Sequence, residues 1–595
     1  MRTSRTNIAA VALLAVHAGL LAWSGYVHSP TLDEVGHLPG GLVIWQYGRF
    51  DLYRVNPPLP RAVAAIPVAL LSHETDWSKF SDSPGARPEW AIGSDFIRAN
   101  GERAFWLFTL ARWACIPFSL LGGIVCWRWG RSLFGESAGL LALTLWCFCP
   151  NILGNGALVT PDVPAAALGV LAAFCFWRWL CRPTWTSALI AGASLGLAEL
   201  CKLTWVVLFG LWPAIWLIAQ FVEFQRAKPA SGIGARTPGV GQLTVVLLMG
   251  LYVLNLGYAF DGSFRRLDSY PFFSRTLAGE TRDRNSDPPG NRFVGTWLGA
   301  LPVPLPYDYL TGMDLQKQDF EVGKTSYLRG EFKQGGWWYY YLYAAAVKLP
   351  LGLLVLIPVA SWLAFFRCAR LALVDALPLL LPPLVVFVLV SSQTGFNRYF
   401  RYVVPALPFV FIAISRVALF FSTATSTTLA ASRPFLAVRA ISLAAIAWAV
   451  ASSLYYCPHS LSYFNEFAGG PRRGHDHLID ANIDWGQDLF LLREWIAEHP
   501  EARPLTVTYE GFFDPAIAGV DFPRTPAIPL GDSRAEMRDQ LQPGWHAVSV
   551  SCLRHPSHMY DYLQPFEPVA LAGYSIYVYR LTAEDVEEIR RAAAK

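Results

Sequence analysis

The chain has little charge and no concentration of it. Asp, Glu, Lys and Arg make up 15% of its 595 residues, against 53% hydrophobic and 14% aromatic residues. That balance excludes an ordinary soluble enzyme. A net charge of +4, with no basic run, gives no footing for nucleic acid as a partner. Cysteine is sparse and scattered: Cys115, Cys126, Cys147, Cys149, Cys175, Cys181, Cys201 and Cys368 lie in or beside apolar runs without metal-ligand spacing and read as small core hydrophobes. Only Cys457 and Cys552 fall where an oxidising compartment would let two thiols meet. There is no phosphate-cradling glycine loop. There is also no clear small-x-small cleavage site after the first apolar run, where Trp23, Tyr26 and His28 occupy the exit, so that run reads as a retained anchor.

What the chain does have is long apolar segments. Windows of about 20 residues, the length that crosses a bilayer core, fall at 7–27, 103–126, 134–152, 162–180, 186–202, 203–222, 242–260, 343–366, 373–392, 403–421 and 435–455. The expected fold is an all-α polytopic membrane protein of about eleven spans. Every second short connection is basic: Arg2 and Arg5, Arg128 and Arg131, Arg178 and Arg182, Arg226, Lys228 and Arg236, Arg367 and Arg370, then Arg433 and Arg439. By the positive-inside rule these are cytoplasmic. The N-terminus is then cytoplasmic, while loops 28–102 and 261–342, the turns at Asp162 and Gln393–Arg401, and everything after Tyr456 are exoplasmic, as in a bacterial-type inner membrane. Gly192 and Gly196, four residues apart, permit close helix packing within or between chains.

The two long loops have structure of their own. Val35, Leu38, Leu42, Val43, Trp45 and Tyr47 recur at helical spacing, which suits a helix along the membrane surface that Pro57, Pro58 and Pro60 would stop. The cluster Gly335-Gly336-Trp337-Trp338-Tyr339-Tyr340 reads as an interfacial aromatic belt leading into a helix. Residues 1–460 form the membrane domain. Residues 461–595 form an exoplasmic soluble part, whose last 115 or so residues read as a small α/β domain: a helix over 487–499, strands at 505–509, 545–552 and 574–581, and a charged terminal helix.

Candidate chemistry gathers at the exoplasmic edge. Asp33-Glu34 follows the first span, with His37 one turn on and Asn56-Pro57-Pro58-Leu59 downstream. The pair reads either as the acidic first turn of a helix or as a proton acceptor and cation holder. Asp33, Glu34 and His37 are weak candidates for a divalent cation, short of a full ligand set. Asp162 begins a span on the same side. Arg398 and Arg401, in Gln393-Thr394-Gly395-Phe396-Asn397-Arg398-Tyr399-Phe400-Arg401, read as cations snorkelling to the interface or as guanidiniums that hold a phosphate, and Lys202 carries the same two readings. Asp480, Asp484 and Asp488, interleaved with Asn482, Trp485 and Gln487, suit a structural role, a sugar-contacting surface or a metal site.

Together, Asp33-Glu34, Asn56-Pro57-Pro58-Leu59, Thr160-Pro161-Asp162-Val163-Pro164, the Lys202 segment and Arg398-Tyr399-Phe400-Arg401-Tyr402 with Pro405 and Pro408 resemble the GT-C class of membrane glycosyltransferases, the branch of the protein O-mannosyltransferases and the lipid A aminoarabinose transferase. The likeness covers roughly residues 1–460. Gly36-His37 departs from the aminoarabinose branch, and the soluble tail departs from the protein mannosyltransferases. The block from Tyr463 to Asp488 is similar to a segment of uncharacterised bacterial members. The resemblance implies inverting transfer of a sugar from a polyprenyl phosphate to an acceptor hydroxyl of a protein, lipid or glycan, among membrane lipids and without a nucleotide-sugar pocket. It implies Asp33 as base, with Glu34 and Asp162 orienting the acceptor or a divalent cation. Arg398, Arg401 and Lys202 would meet the donor phosphate, and His37, Asn56, Asn397 and Tyr399 would line the substrate site. A lipid or solute transporter is the competing class, without the internal repeat or midplane acids it would favour. A non-catalytic component of an envelope assembly is another.

Overall fold

The computed structural model describes residues 5–226, 238–284, 289–365, 370–421, 433–520 and 541–593. Arg2, Lys228, Arg236, Arg367 and Cys368 lie outside these residues. From the N-terminus the chain forms helices α1 (Arg5–Val27), α2 (Leu32–Tyr47), α3 (Leu59–Ala69), α4 (Glu89–Asn100), α5 (Arg103–Phe134), α6 (Glu136–Cys147), α7 (Pro150–Asn155), α8 (Asp162–Cys181), α9 (Trp185–Glu199), α10 (Val207–Arg226) and α11 (Val240–Gly257).

All eleven apolar segments are helical, but their lengths differ. Among the described residues eight helices are long and apolar enough to cross a membrane: α1, α5, α8, Leu203–Phe221, α11, Leu373–Ser392, Phe400–Phe421 and Phe435–Tyr456. A ninth follows if Tyr340–Lys348 and Leu351–Leu363, bent by 113° at Leu349-Pro350, count as one broken span. The other two, α6 and α9, have 12 and 15 residues. At 1.5 Å per residue they reach only about 18 and 22 Å of a core about 30 Å thick. The chain leaves α6 early because Cys149-Pro150 restarts it as α7, with proline at the first helical turn.

Glycines set the closest helix contacts. A Cβ on Gly169 of α8 would stand 1.9 Å from the buried Trp205 ring, and Cβ atoms on Gly192 and Gly196 of α9 would stand 2.5 and 2.6 Å from the backbone oxygens of Val246 and Gly250 in α11. The four-residue glycine spacing therefore serves packing within this chain.

Helix α2 does not lie along a surface as its spacing suggested. Its residues from Glu34 to Val43 are buried, clasped between α3 and α4. It ends at Gly48, in the left-handed region at φ 65°, and the prolines start α3 instead of stopping α2. A Cβ on Gly41 would meet the Arg61 carbonyl oxygen at 2.1 Å, and one on Gly93 would meet that of Val35 at 2.2 Å. The buried Arg61 gathers the carbonyl oxygens of Phe50, Tyr53 and Asn56, fixing the turn between α2 and α3.

In the second long loop a helix, Tyr307–Val322, precedes a hairpin of β1 (Thr325–Leu328) and β2 (Glu331–Gln334). The C-terminal part carries helix Leu489–Glu498, strands β3 (Leu505–Thr508), β4 (Gly544–Ser549), β5 (Ala570–Ala572) and β6 (Ile576–Leu581), and the terminal helix Ala583–Ala593. Its sheet has the order β3-β4-β6-β5, with β3 parallel to β4 and the other pairs antiparallel. The expected strand 545–552 is β4 followed by a helical turn at Val550–Leu553. Cys457 and Cys552 are free thiols, so the pairing considered for them is not made. Residues 460–488 are built into the junction, where Ser29 and Leu32 donate their amides to the carbonyls of Gln487 and Trp485.

Gly41→Ala places a Cβ against backbone that cannot yield. It is expected to lower stability by about 1–3 kcal/mol, the usual cost of overpacking, seen as a reduced Tm of the detergent-purified protein, whereas an alanine at the uncrowded Gly210 should leave the Tm within error.

Candidate active site

Successive helical residues point about 100° apart, so Asp33 and Glu34 cannot share a direction. Glu34 turns inward. Its oxygens accept from Arg112 Nε at 2.9 Å and an Arg112 terminal nitrogen at 2.5 Å, from the Val159 amide at 3.0 Å, and from the Thr31 amide and hydroxyl at 2.7 and 2.9 Å. Burial alone would raise the Glu34 carboxyl, but Arg112 and these donors outweigh it and hold it below the ordinary carboxylate range. Arg112 spends its other donors on the carbonyls of Gly25, His28 and Ser29, so all five N–H groups are matched. Glu34 is thus spent as a structural anchor and does not line the cavity that Asp33 faces.

Asp33 turns the other way. One oxygen accepts from Arg401 at 2.7 Å, and the same guanidinium reaches Asp162 at 3.1 Å. The second Asp162 oxygen takes Lys202 Nζ at 2.6 Å. Each group stands at an element's end: Asp33 in the first turn of α2, Asp162 at the head of α8, Lys202 just past α9, and Arg401 at the head of Phe400–Phe421. The Arg401 guanidinium lies 4.3 Å from the Trp485 ring centre and 5.0 and 5.2 Å from those of Tyr399 and Tyr402. Aromatic faces favour a cation there. Burial pushes the Asp33 carboxyl above its usual range, with Asp162 and Asp480 adding to the rise and Arg401 opposing it.

Asp480 holds the neighbouring arginine. One of its oxygens accepts from both Arg398 and the Tyr399 hydroxyl at 2.9 Å, and its backbone sits at φ 60°, a conformation aspartate tolerates better than most residues.

These groups face a cavity of about 700 Å³. Asp33, His37, Asn56, Asp162, Lys202, Arg398, Tyr399 and Arg401 all line it. The loops add Tyr53, Arg87, Trp90, Arg284, Lys317, Asp319 and Lys324, so seven cationic side chains face three carboxylates and the lining favours an anion. Part of the wall is apolar, with Val206, Leu389 and Val390 contributed by membrane-length helices, and Val206 and Leu389 are 37% and 36% exposed. His37 lies tilted by 40° against Tyr53 at 4.4 Å between ring centres, and burial, with Arg61 and Arg401, holds its pKa well below the ordinary histidine range.

Other candidates lie elsewhere. Asn397 points away, donating to the Trp337 carbonyl at 2.8 Å. Asp484 accepts from the Ser551 amide at 2.8 Å, Asp488 from those of Tyr574 and Ser575 at 3.0 Å each, and Gln487 is spent on Ser462, Ile483 and Trp485. These three are structural, and Trp485 meets Arg401 instead of the cavity. Glu34 turns away from Asp33 and His37, so the three do not converge on a cation. Arg87, Arg284 and Lys324 were missed because nothing in one-dimensional order ties loop cations to Asp33, which precedes them by 54, 251 and 291 residues. Arg87 pairs with Asp319 at 3.4 Å and Arg284 bonds the same carboxylate, which closes the cavity rim.

A multi-span helical protein with a cation-rich cavity at one end of its bundle, floored by paired carboxylates, is the class these features define. Residues 107–233 match the family model described as dolichyl-phosphate-mannose-protein mannosyltransferase, in keeping with the resemblance to the GT-C membrane glycosyltransferases; the matched stretch holds Asp162 and Lys202. No curated protein matches. Among solved structures, ArnT from Cupriavidus metallidurans in the apo state is similar at 14% identity and a TM-score of 0.42, over 97% of this chain and 98% of that one. The same protein bound to undecaprenyl phosphate gives 14% and 0.41 over the same shares. The Archaeoglobus fulgidus oligosaccharyltransferase AglB, in complex with an inhibitory peptide and a dolichol-phosphate, gives 14% and 0.38 over 75% of this chain and 56% of that one. These overlays are loose, and the roles of the residues rest on the geometry above.

Because Glu34 and Arg112 are buried and mutually satisfied, Arg112→Met leaves an unpaired buried carboxylate. It is expected to cost about 3–5 kcal/mol, read as a lowered Tm, and the double variant Arg112→Met/Glu34→Gln should recover part of that loss.

Proposed function

We propose that this protein transfers a glycosyl group from a polyprenyl-phosphate-linked sugar to an acceptor hydroxyl, with inversion, on the outer side of the membrane. The observation that carries the reading is that one cavity joins a carboxylate held by an arginine, a surplus of cations, and an apolar wall on membrane-length helices. A lipid-linked phosphate needs both the cations and the apolar wall, and a hydroxyl nucleophile needs the carboxylate. The family model over 107–233, described for a dolichyl-phosphate-mannose enzyme, supports the same donor class.

In this mechanism the acceptor oxygen attacks the anomeric carbon from the face opposite the phosphate. The bond from that carbon to the phosphate oxygen breaks, the phosphate leaves with the bonding electrons, and Asp33 takes the acceptor proton. Arg401, Arg398 and Lys202 neutralise the charge that grows on the phosphate. Asp162 orients Arg401 and Lys202 by holding one of each carboxylate-facing donor. His37, neutral, with Asn56 and Tyr399, offers hydrogen bonds to sugar or acceptor hydroxyls. The acceptor is a hydroxyl of a protein, lipid or glycan.

Arg401 also tunes the base. As phosphate draws its N–H groups away, Asp33 loses the interaction that lowers its pKa and becomes more basic when it must accept a proton.

The test is transfer of radiolabelled sugar from a panel of polyprenyl-phosphate sugars by protein in lipid. Asp33→Asn should remain folded and lose about 10²–10⁴-fold in turnover, the share of a general base; near-normal turnover would remove Asp33 from that role. Activity should fall as pH drops through an Asp33 pKa raised above 3.8. In Arg401→Gln the acid limb should move to higher pH, because a lowering influence has gone, and a limb that moves down would contradict the pairing.

A further inference from the structure

Three ligating side chains meet outside the cavity, where α1, the turn after the last apolar helix, and the head of helix Leu489–Glu498 come together. His28 follows α1, His459 lies in the turn after Tyr456, and Asp488 precedes Leu489. The His28 Nδ1 atom is 3.0 Å from the Ser24 carbonyl oxygen. A carbonyl only accepts, so Nδ1 carries the proton and Nε2 presents its lone pair, the arrangement that orients a ligating histidine. That Nε2 stands 3.1 Å from His459 Nδ1 and 3.8 Å from Asp488 Oδ1, and the three ligand atoms all lie within 4.8 Å of one another.

Asp488 supplies an independent sign. Only 1% exposed, it satisfies Oδ2 with two backbone amides, whereas Oδ1 is buried with no hydrogen-bond partner and faces the two imidazoles. A buried carboxylate oxygen left so is costly unless a cation completes it.

We propose that His28 Nε2, His459 Nδ1 and Asp488 Oδ1 bind one Zn²⁺, which clasps the C-terminal domain to the first and last apolar helices. Two imidazole nitrogens and a carboxylate oxygen are a donor set that suits zinc. Tetrahedral bonds of about 2.0–2.2 Å set ligand atoms roughly 3.3–3.6 Å apart, so the three side chains need shift by little more than an ångström. A cavity of about 20 Å³ lined by His28, His459, Ser462 and Gln487 adjoins them, enough for the one water that would complete four-coordination. Arg112 borders the same cavity, but its five donors are spent and its charge is matched by Glu34, so it sets no unpaired cation against the metal.

The experiment uses the full chain, purified without chelator and with its affinity tag removed. Its metal content is read by mass spectrometry, and Co²⁺ replaces zinc as a spectroscopic probe. The expected result is close to one zinc per chain, a visible Co²⁺ absorption of tetrahedral intensity, and faster proteolysis within 457–488 after chelator treatment. His459→Gln, at a half-buried ring, should weaken zinc binding at least as much as the ~10–100-fold that loss of an outer-shell partner costs. Wild-type protein that takes up no zinc from micromolar Zn²⁺, or whose Co²⁺ spectrum stays that of the aqueous ion, would overturn the proposal. So would His459→Gln that is monodisperse and binds zinc as tightly as wild type. Should that variant fail to fold, the chelator arm decides alone, since proteolysis unchanged by zinc removal also overturns the clasp.

Discussion

The guanidinium of Arg112 ties three pieces of chain together at the base of the cavity, the end of α1, the start of α2 and the segment before α8, over the apolar contacts by which α1 already packs on α5. The last carbonyls of α1 have no partners within their helix, and Arg112 takes that of Gly25 and, just beyond the helix, those of His28 and Ser29. The same side chain takes both Glu34 oxygens at the start of α2, and Glu34 in turn takes the Val159 amide just before Asp162. Desolvating such a pair costs about as much as its attraction returns. Its worth is therefore geometric: once Glu34 is committed inward, the helical step turns Asp33 outward toward Arg401, and the strand of chain that delivers Asp162 is held within reach.

The charges around the cavity follow from that placement. Asp33 and Asp162 would repel each other at the head of two helices, and Arg401 resolves the conflict by bridging them, with Lys202 completing Asp162. Aromatic rings around the guanidinium remove water from its faces while leaving its edge polar, so its hydrogen bonds are strengthened by the low local dielectric. The Nε–H of Arg401 is buried without a partner in the protein. An arginine so held has binding capacity in reserve, and its surplus, with that of the loop cations, is the electrostatic signature of an anionic substrate.

Much of this was legible in the sequence, and the limits were physical. Apolar length gave every membrane-type helix, since burial and backbone satisfaction in lipid leave little else. It could not say that α6 and α9 stop short, because a proline at Pro150 and a turn at Lys202 act on helix length without changing hydropathy. Asp33, Asp162, Lys202 and Arg401 were legible as charged residues at the ends of apolar runs, where only function or an interface keeps them. Glu34 misled because an adjacent acid shares a motif but not a direction. Asn397 and Gln487 misled for a different reason: an amide beside a site is more often spent on backbone carbonyls than on substrate. The loop cations Arg87, Arg284 and Lys324 carried no local signal, since folding of two long loops alone brings them to the rim.

The segment from Tyr463 to Asp488 changes how the C-terminal part is understood. Its acids and aromatics looked like a surface for sugars, yet Asp480 seats Arg398, Trp485 lies over Arg401, and Gln487 and Trp485 hand backbone carbonyls to Ser29 and Leu32. Asp480, which seats Arg398, and Trp485, which covers Arg401, therefore come from beyond the last apolar helix, while Asp33 and Asp162, which Arg401 bridges, come from α2 and α8. A cavity assembled across so wide a separation in sequence forms only when the C-terminal segment is docked. Docking and site formation are then one event, and the position of Arg398 and Arg401 depends on contacts at residues 480–488 as much as on the span that carries them.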